Sequence, residues 1–288
     1  METPLAHKRF HPDTTQCGNR EFRWGERTYI MGIINMSLDS FSGDGFGGNI
    51  DKALKQAKRF IAEGADVIDI GGESTRPGSQ PILPDDEISR VIPIIERLSA
   101  EINVPISIDT GKSAVAIRAL RAGANMINDI WGLKQDNQLV EVAAEAGVPL
   151  VITSNQRNQL CRQDIINEVT TDLKRSINIA EKAGVFKRNI IIDPGIGFGK
   201  TLEQNLEIIR RLTELKPLNR PILLGTSRKS MIGLVLDLPT DKRLEGTAAT
   251  VAIGIANGAD IIRVHDVRQM VLVCRMSDAI IRRSKGEY

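Results

Sequence analysis

The sequence predicts one (β/α)8 barrel, the TIM barrel, and three observations carry that expectation. A helical stretch, a glycine and a short apolar run rich in Ile and Val recur as one phrase along the chain. The apolar runs number about eight, the count that closes a parallel barrel. Each run ends in polar residues, and the carboxyl ends of the strands are where such barrels hold their chemistry.

The phrase is read as EGADVIDI (63–70), RAGANMIND (121–129), EAGVPLVI (145–152), KAGVFKRNIIID (182–193) and NGADIIRV (257–264). Gly64, Gly123, Gly147, Gly184 and Gly258 are expected helix stops, because a left-handed residue there meets no Cβ clash. TYIMGIIN (28–35), PISID (105–109) and PILLG (221–225) complete the set of strands. Their runs are unbroken where an exposed sheet would alternate, as suits strands covered on both faces. Between them lie helices: Ala53, Leu54, Ala57, Phe60 and Ile61 share one face, and Thr201 with Gln204 matches a capping box ahead of Leu206, Ile209 and Leu212. A doubly wound open sheet shares this βαβ grammar. It would normally place a Gly-rich phosphate loop after its first strand, and GIINMSLDSFSGDGFGG (32–48) fits neither GxGxxG nor the P-loop pattern.

At 288 residues one barrel accounts for the chain, with 1–24 an N-terminal extension or short hairpin and 25–288 the barrel domain. Apolar residues at 41% supply a large core, while 26% charged residues balance to a net charge of +2. With no clustered basic face, nucleic acid is not an expected partner. No apolar run approaches the roughly 18 residues that cross a bilayer, and METPLAHKRFHPDTTQ lacks the apolar stretch of a signal peptide. A cytoplasmic protein that meets small molecules and no membrane is expected. The three cysteines, Cys17, Cys161 and Cys274, are widely spaced and form no CxxC pair. Of three histidines only His265 lies beyond the N-terminal segment holding His7 and His11, so a histidine-rich metal site is not expected.

The polar residues after the apolar runs are Asn35, then Gly71 to Arg76, Asp109, Asn128 and Asp129, Thr153 to Asn155, Asp193, Ser227 to Lys229, and Arg263 with His265. Singly, each is as well explained as a helix cap or turn residue. Together they describe a polar pocket that is costly to maintain without a ligand. Asp109 and Asp193 should approach one another inside the rim with Asn128 between them, acceptors suited to a flat heterocycle carrying N–H and NH2 donors. Lys229 would donate to a ring carbonyl, and Arg263 with His265, two apart on one strand, would point the same way and could hold an anion.

All of these residues except Thr153 to Asn155 occur within GIINMSLDSFSGDG (32–45), DVIDIGGESTRPGS (66–79), ISIDT (106–110), INDIWG (127–132), DPGIGFGKT (193–201), GTSRKSMIG (225–233) and RVHDV (263–267). In that order, and over about Thr28 to Val273, the chain resembles the dihydropteroate synthases. The resemblance implies condensation of 6-hydroxymethyl-7,8-dihydropterin pyrophosphate with para-aminobenzoate on a (β/α)8 barrel, by an SN1-like substitution. It implies Asp109, Asn128, Asp193, Lys229 and Arg263 as pterin-binding. Asn35, Arg76, Arg263 and His265 would meet the pyrophosphate, with Asn35 on the accompanying Mg2+. Thr75, Pro77, Ser230 and Phe41 would contact para-aminobenzoate. Asp39, Ser40, Phe41 and Asp44, with Thr75 and Arg76, form the implied catalytic loops, and a homodimer is implied as well.

The sequence departs from the family pattern in three places. Ser37 and Leu38 stand where Thr-Pro is usual, with Asp44 one position late. VITSNQRN (151–158) replaces a Met-His-Met type of ending, and Trp131 follows IND where serine is common; barrel packing explains that tryptophan best. Two rival readings share the fold. A pterin-dependent methyltransferase would carry Asp109, Asn128 and a DP turn but has no use for STRPGS or GTSRKS. A catalytically silent pterin-binding paralogue is suggested by the altered first loop and the Thr153-Ser154-Asn155 ending, and the intact Asn35, Lys229 and Arg263 count against it.

Overall fold

The computed structural model describes residues 14–37, 46–74, 79–157 and 164–282. Its first element is an antiparallel hairpin, β1 (Thr14–Cys17) and β2 (Arg20–Arg23), turning at Gly18. Eight parallel strands follow: β3 (Tyr29–Asn35), β4 (Val67–Gly71), β5 (Ile106–Asp109), β6 (Met126–Asp129), β7 (Leu150–Thr153), β8 (Ile190–Asp193), β9 (Leu223–Leu224) and β10 (Ile261–Val264). They lie in the order β8-β7-β6-β5-β4-β3-β10-β9, and a bridge between Ile192 and Ile222 brings the two ends together. Every apolar run read from the sequence becomes a barrel strand, β9 the shortest of them.

Nine helices are described around this sheet: α1 (Ile50–Glu63), α2 (Pro84–Glu101), α3 (Ser113–Arg121), α4 (Leu139–Ala146), α5 (Ile165–Lys182), α6 (Leu202–Arg210), α7 (Ser230–Leu236), α8 (Leu244–Ala256) and α9 (Val267–Ile281). Helix α1 starts where Asn49 accepts a bond from the Lys52 amide, buries Ala53, Leu54, Ala57 and Phe60, and stops at Gly64, whose φ is +108°. That left-handed residue lets Ala65 donate to the Phe60 carbonyl and turns the chain into β4. All five expected stop glycines have positive φ. The Thr201–Gln204 capping box opens α6 in both directions. Helix α7 is an extra one, set between β9 and α8.

The core has two parts. A large one lies between strands and helices, fed by the outward residues of each strand such as Ile34, Ile68, Ile70, Ile106 and Ile262. A second fills the lower interior of the cylinder with Met31, Val67, Met126, Val151, Ile191, Leu223 and Ile261, closed from below by Cys17, Phe22, Trp24 and Tyr29. The three aromatic rings stack at 4.7–5.5 Å between centroids, and the Trp24 indole donates to Thr15 Oγ1 at 2.9 Å. The hairpin therefore plugs the barrel floor, each fully buried side chain contributing roughly 1.5–3 kcal/mol. Burial pushes the Cys17 and Cys274 thiols up to about 12, so neither is a thiolate at neutral pH.

Candidate functional site at the strand ends

Because inward residues alternate along a strand, the position two beyond each floor residue projects into the upper barrel. There the sequence turns polar: Asp69 follows Val67, Asn128 follows Met126, Thr153 follows Val151, Asp193 follows Ile191, and Arg263 follows Ile261. Strand register sets Gly71 beside Asp109, Asp109 beside Asn128, and Thr153 beside Asp193.

Arg263 is the hub. Its Nε donates to Asp69 Oδ2 at 2.6 Å and its Nη2 to Asp109 Oδ2 at 2.6 Å. Asn128 Nδ2 reaches the same Asp69 oxygen at 3.2 Å. Burial opposes the Arg263 charge, but Asp69 and Asp109 outweigh it and hold the guanidinium above its usual range. Burial raises Asp109 to about 7, partly countered by Arg263. Asp193 is raised by burial too, against the pull of Lys229 and a Gly195 amide that donates to it at 2.7 Å. Both aspartates thus feel Arg263, and Lys229 feels both, as expected of groups converging on one cavity.

Lys229, immediately before α7, donates to the Ile196 carbonyl, and its ammonium sits 4.7 Å from the Phe198 ring centroid. Withdrawal from water lowers it to about 8, with Asp193 holding it up. Its support is the loop 193–200, which needs glycine on steric grounds: at Gly195, with φ +74°, an added Cβ would lie 2.0 Å from the Ser154 carbonyl oxygen. Lys200 clamps this loop by donating to the carbonyls of Ser154 (2.8 Å), Gly195 (2.9 Å) and Phe198 (3.3 Å). Burial lowers Lys200 to about 7.

Asn35 ends β3 half-buried, and a Cβ added at Gly71 would lie 3.6 Å from its Oδ1 and 3.7 Å from Asp109 Oδ2. His265 Nδ1 shares a 3.0 Å hydrogen bond with Ser227 Oγ. The expected shared direction of Arg263 and His265 is not found, because β10 ends at Val264: Arg263 turns into the barrel, and His265, past the strand, lines a cleft with Arg228, Asp266, Phe46 and the flanks of α1 and α9. Ser230 opens α7 and is exposed. Thr75, Arg76, Pro77, Asp39, Ser40, Phe41 and Asp44, along with His7, His11 and Cys161, lie outside the described residues.

Other strand-end residues are engaged in holding loops. Asp129 accepts from the amides of Trp131 (2.8 Å) and Leu133 (2.5 Å), and burial raises it to about 6. Arg228, left-handed at φ +56°, forks onto Asp266 at 2.9 and 2.5 Å. In the unusual end of β7, Ser154 Oγ donates to Asp172 at 2.9 Å and Asn155 Nδ2 to the Ile130 carbonyl at 2.9 Å. Trp131 meets Arg157, whose guanidinium lies 5.7 Å from its ring and 4.9 Å from that of Phe198. Two departures from the family pattern are therefore in contact with each other.

Sequence reasoning missed Asp69, Lys200, Phe198 and Arg157. A signal existed for Asp69, a lone charge inside the apolar run VIDIG. Lys200 gave none, because its partners are backbone carbonyls brought together only by folding.

A family of proteins described as pterin binding enzymes matches residues 31–265. A dihydropteroate synthase of Clostridium beijerinckii is 53% identical over 93% of this chain and 100% of its own length. The crystal structure of a dihydropteroate synthase from Clostridium difficile, obtained in the presence of pteroic acid, superposes with a TM-score of 0.87 at 50% identity, covering 91% of this chain and 100% of that one. A Xanthomonas albilineans dihydropteroate synthase structure with 4-aminobenzoic acid superposes with a TM-score of 0.87 at 38% identity, covering 93% and 98%.

Proposed function

From the premise that this chain belongs to the dihydropteroate synthases among the pterin binding enzymes, we propose that the Arg263-centred ring of polar side chains is its reaction site. The chain is a transferase of folate biosynthesis, condensing 6-hydroxymethyl-7,8-dihydropterin pyrophosphate with para-aminobenzoate to give 7,8-dihydropteroate and pyrophosphate. The observation that carries the site assignment is that Asp109 bonds the Arg263 guanidinium, Asn128 shares Asp69 Oδ2 with it, and Asp193 and Lys229 lie within its electrostatic reach.

In this reading Asp109 and Asp193 accept the N–H and NH2 donors of the pterin, Asn128 adds an amide, and Lys229 donates to the ring carbonyl. Lys229 at about 8 remains mostly charged at neutral pH and so donates as an ammonium, the stronger form of donor. Arg263, charged at any working pH, is assigned to the pyrophosphate together with Asn35, Arg76 and His265. When the C–O bond breaks, pyrophosphate leaves with the electron pair and the methylene carbon becomes a cation conjugated with the pterin. Arg263 counters the negative charge gathering on the leaving oxygens. The arylamine lone pair then forms the C–N bond, and its proton passes to solvent. Thr75, Pro77, Phe41 and Ser230 contact para-aminobenzoate, and the catalytic loops, with Asp39, Ser40, Phe41, Asp44, Thr75 and Arg76, exclude water that would trap the cation.

Among the described residues no group of three or more His, Cys, Asp or Glu side chains could hold a metal ion. Mg2+ needs no such cage, since it keeps several waters and binds through one or two protein oxygens plus substrate phosphates. The Asn35 amide oxygen, at the end of β3 where it pairs with Gly71, fits that demand. Mg2+ held there would neutralise the leaving pyrophosphate.

We further take residues 25–288 as one pterin-binding domain with 1–24 as its extension, in a cytoplasmic protein. No helix among the described residues is long and apolar enough to cross a membrane. A homodimer is supported by one face: Leu234, Val235 and Leu236 of α7, Ile253 of α8, and Leu272, Met276 and Ile280 of α9 all expose apolar side chains. The α9 residues recur every four positions, a stripe that faces away from the core.

The decisive test mixes purified protein, the pterin pyrophosphate, Mg2+ and para-aminobenzoate. Dihydropteroate and pyrophosphate should appear in equal amounts. A protein that binds the pterin without forming either is the silent paralogue.

A further inference from the structure

Asp69 lies in the inward layer just described, at the middle of β4 against Arg263 and Asn128, and its side chain is fully buried at 0% exposure. A carboxylate in that position is costly unless its oxygens are paired. One oxygen is doubly used: Oδ2 takes both the Arg263 Nε bond at 2.6 Å and the Asn128 Nδ2 bond at 3.2 Å. The other, Oδ1, has no hydrogen-bond partner among the described residues, nor does Ser107 Oγ on the register-paired position of β5. An apolar residue would fill this position more cheaply, as Val67 fills the layer below two residues earlier.

We propose that Asp69 is a positioning residue for the condensation: it fixes the Arg263 fork and the Asn128 amide in one geometry, and so sets the pterin side and the anion side of the site relative to each other. The inference rests on the reading of Arg263 and Asn128 given above. An arginine side chain has several rotatable bonds, and Asp109 alone grips only Nη2. A second carboxylate on Nε removes rotation of the guanidinium about that single contact, because two parallel anchors define the plane of the fork. With the plane fixed by Asp69, Arg263 stays aimed when Asp109 turns its oxygens to an incoming pterin. Asp69 touches neither substrate in this scheme and acts wholly through its two partners.

The test is a double-mutant cycle on turnover, with Asp69→Asn and Asp69→Ser each made in the wild-type chain and in Arg263→Lys. Lysine keeps the charge of Arg263 but cannot be held as a fork, so it removes what Asp69 is proposed to fix. Asp69→Asn should lower kcat at least about tenfold, with KM for the pterin pyrophosphate changed less than about threefold, since aim matters most as charge builds on the leaving group. In Arg263→Lys the same change should cost at least about fivefold less, the remainder reporting the Asn128 contact. Calorimetric stoichiometry with the pterin substrate counts the folded sites, so that loss of active molecules is not read as loss of rate. Equal losses in both backgrounds would overturn the proposal, and so would wild-type kinetics in Asp69→Asn. Failure of both Asp69 variants to fold would overturn it too, by making Asp69 a need of the barrel. A wild-type chain that forms no dihydropteroate would instead sink the reading on which the proposal rests.

Discussion

The lower and upper halves of the barrel interior are built from the same strands, two residues apart, and obey opposite rules. Below, Val67, Met126, Val151, Ile191 and Ile261 interlock with the hairpin aromatics and leave no polar atom to satisfy. Above, Asp69, Asn128, Thr153, Asp193 and Arg263 occupy the next inward positions; Asp69 Oδ1 and Thr153 Oγ1 have no partner among the described residues, and Asp109, Asp193 and Lys229 are shifted against their charged forms. One step along a pleated strand thus separates a layer that stabilises the fold from a layer that weakens it so that a ligand can complete it.

The sharpest way to separate the halves is to remove one member of each. Lys229→Ala should lower turnover at least about a hundredfold, the scale of losing a preorganised donor, while its melting temperature stays within a few degrees of the parent chain. Unchanged turnover would strip Lys229 of its assigned role. Ile191→Ala, two residues before Asp193, should do the reverse. Denaturant titration should show a loss of about 2–5 kcal/mol, with turnover per folded molecule nearly intact.

The pH dependence sharpens the same contrast with a smaller effect. Asp109 titrates near 7 in the folded chain against the usual 3.8, so between those values the folded state holds a proton that the unfolded chain has released. Its contribution is therefore most favourable below pH 4 and declines as pH rises toward 7. Lys229 acts with the opposite slope in another window: lowered from 10.5 to about 8, it weakens the fold fully below 8 and ceases to do so as pH rises toward 10.5. Melting temperature should fall between pH 5 and 7 in the wild-type chain and fall less in Asp109→Asn. Equal slopes would deny Asp109 its raised pKa. The smallest effect on chemistry is expected at the outer face, where Met276→Glu should shift light scattering from dimer toward monomer and leave the folded barrel intact.

Much of the lower half and of the frame was legible in the sequence, because parallel strands covered on both faces are continuous apolar runs and their helices end at glycine. Gly64 and Gly258 marked turns that the chain does make, and Thr201 with Gln204 marked a helix start. The upper half was legible only where polar residues followed a run, as with Asp109, Asp193 and Lys229. Asp69 escaped because it interrupts an otherwise unbroken apolar run, a pattern that gives no alternation to mark an inward position. Lys200 escaped because its partners are backbone carbonyls, which no residue type announces, and Arg157 because Trp131 and Phe198 are distant in sequence and meet it only when the loops fold. The Ser154–Asn155 ending drew notice as a departure, yet its side chains bond to Asp172 and the Ile130 carbonyl, so it is the backbone of this segment that joins the Lys200 clamp.

The claim on which the rest stands is that carboxylates from different strands grip one pterin. Isothermal calorimetry of 6-hydroxymethyl-7,8-dihydropterin pyrophosphate against Asp109→Ala tests it most directly. Affinity at least about tenfold below that of the wild-type chain is the predicted result, as expected when a charged acceptor is lost from a buried site. A titration curve that overlays the wild-type one would place the pterin elsewhere and contradict the account.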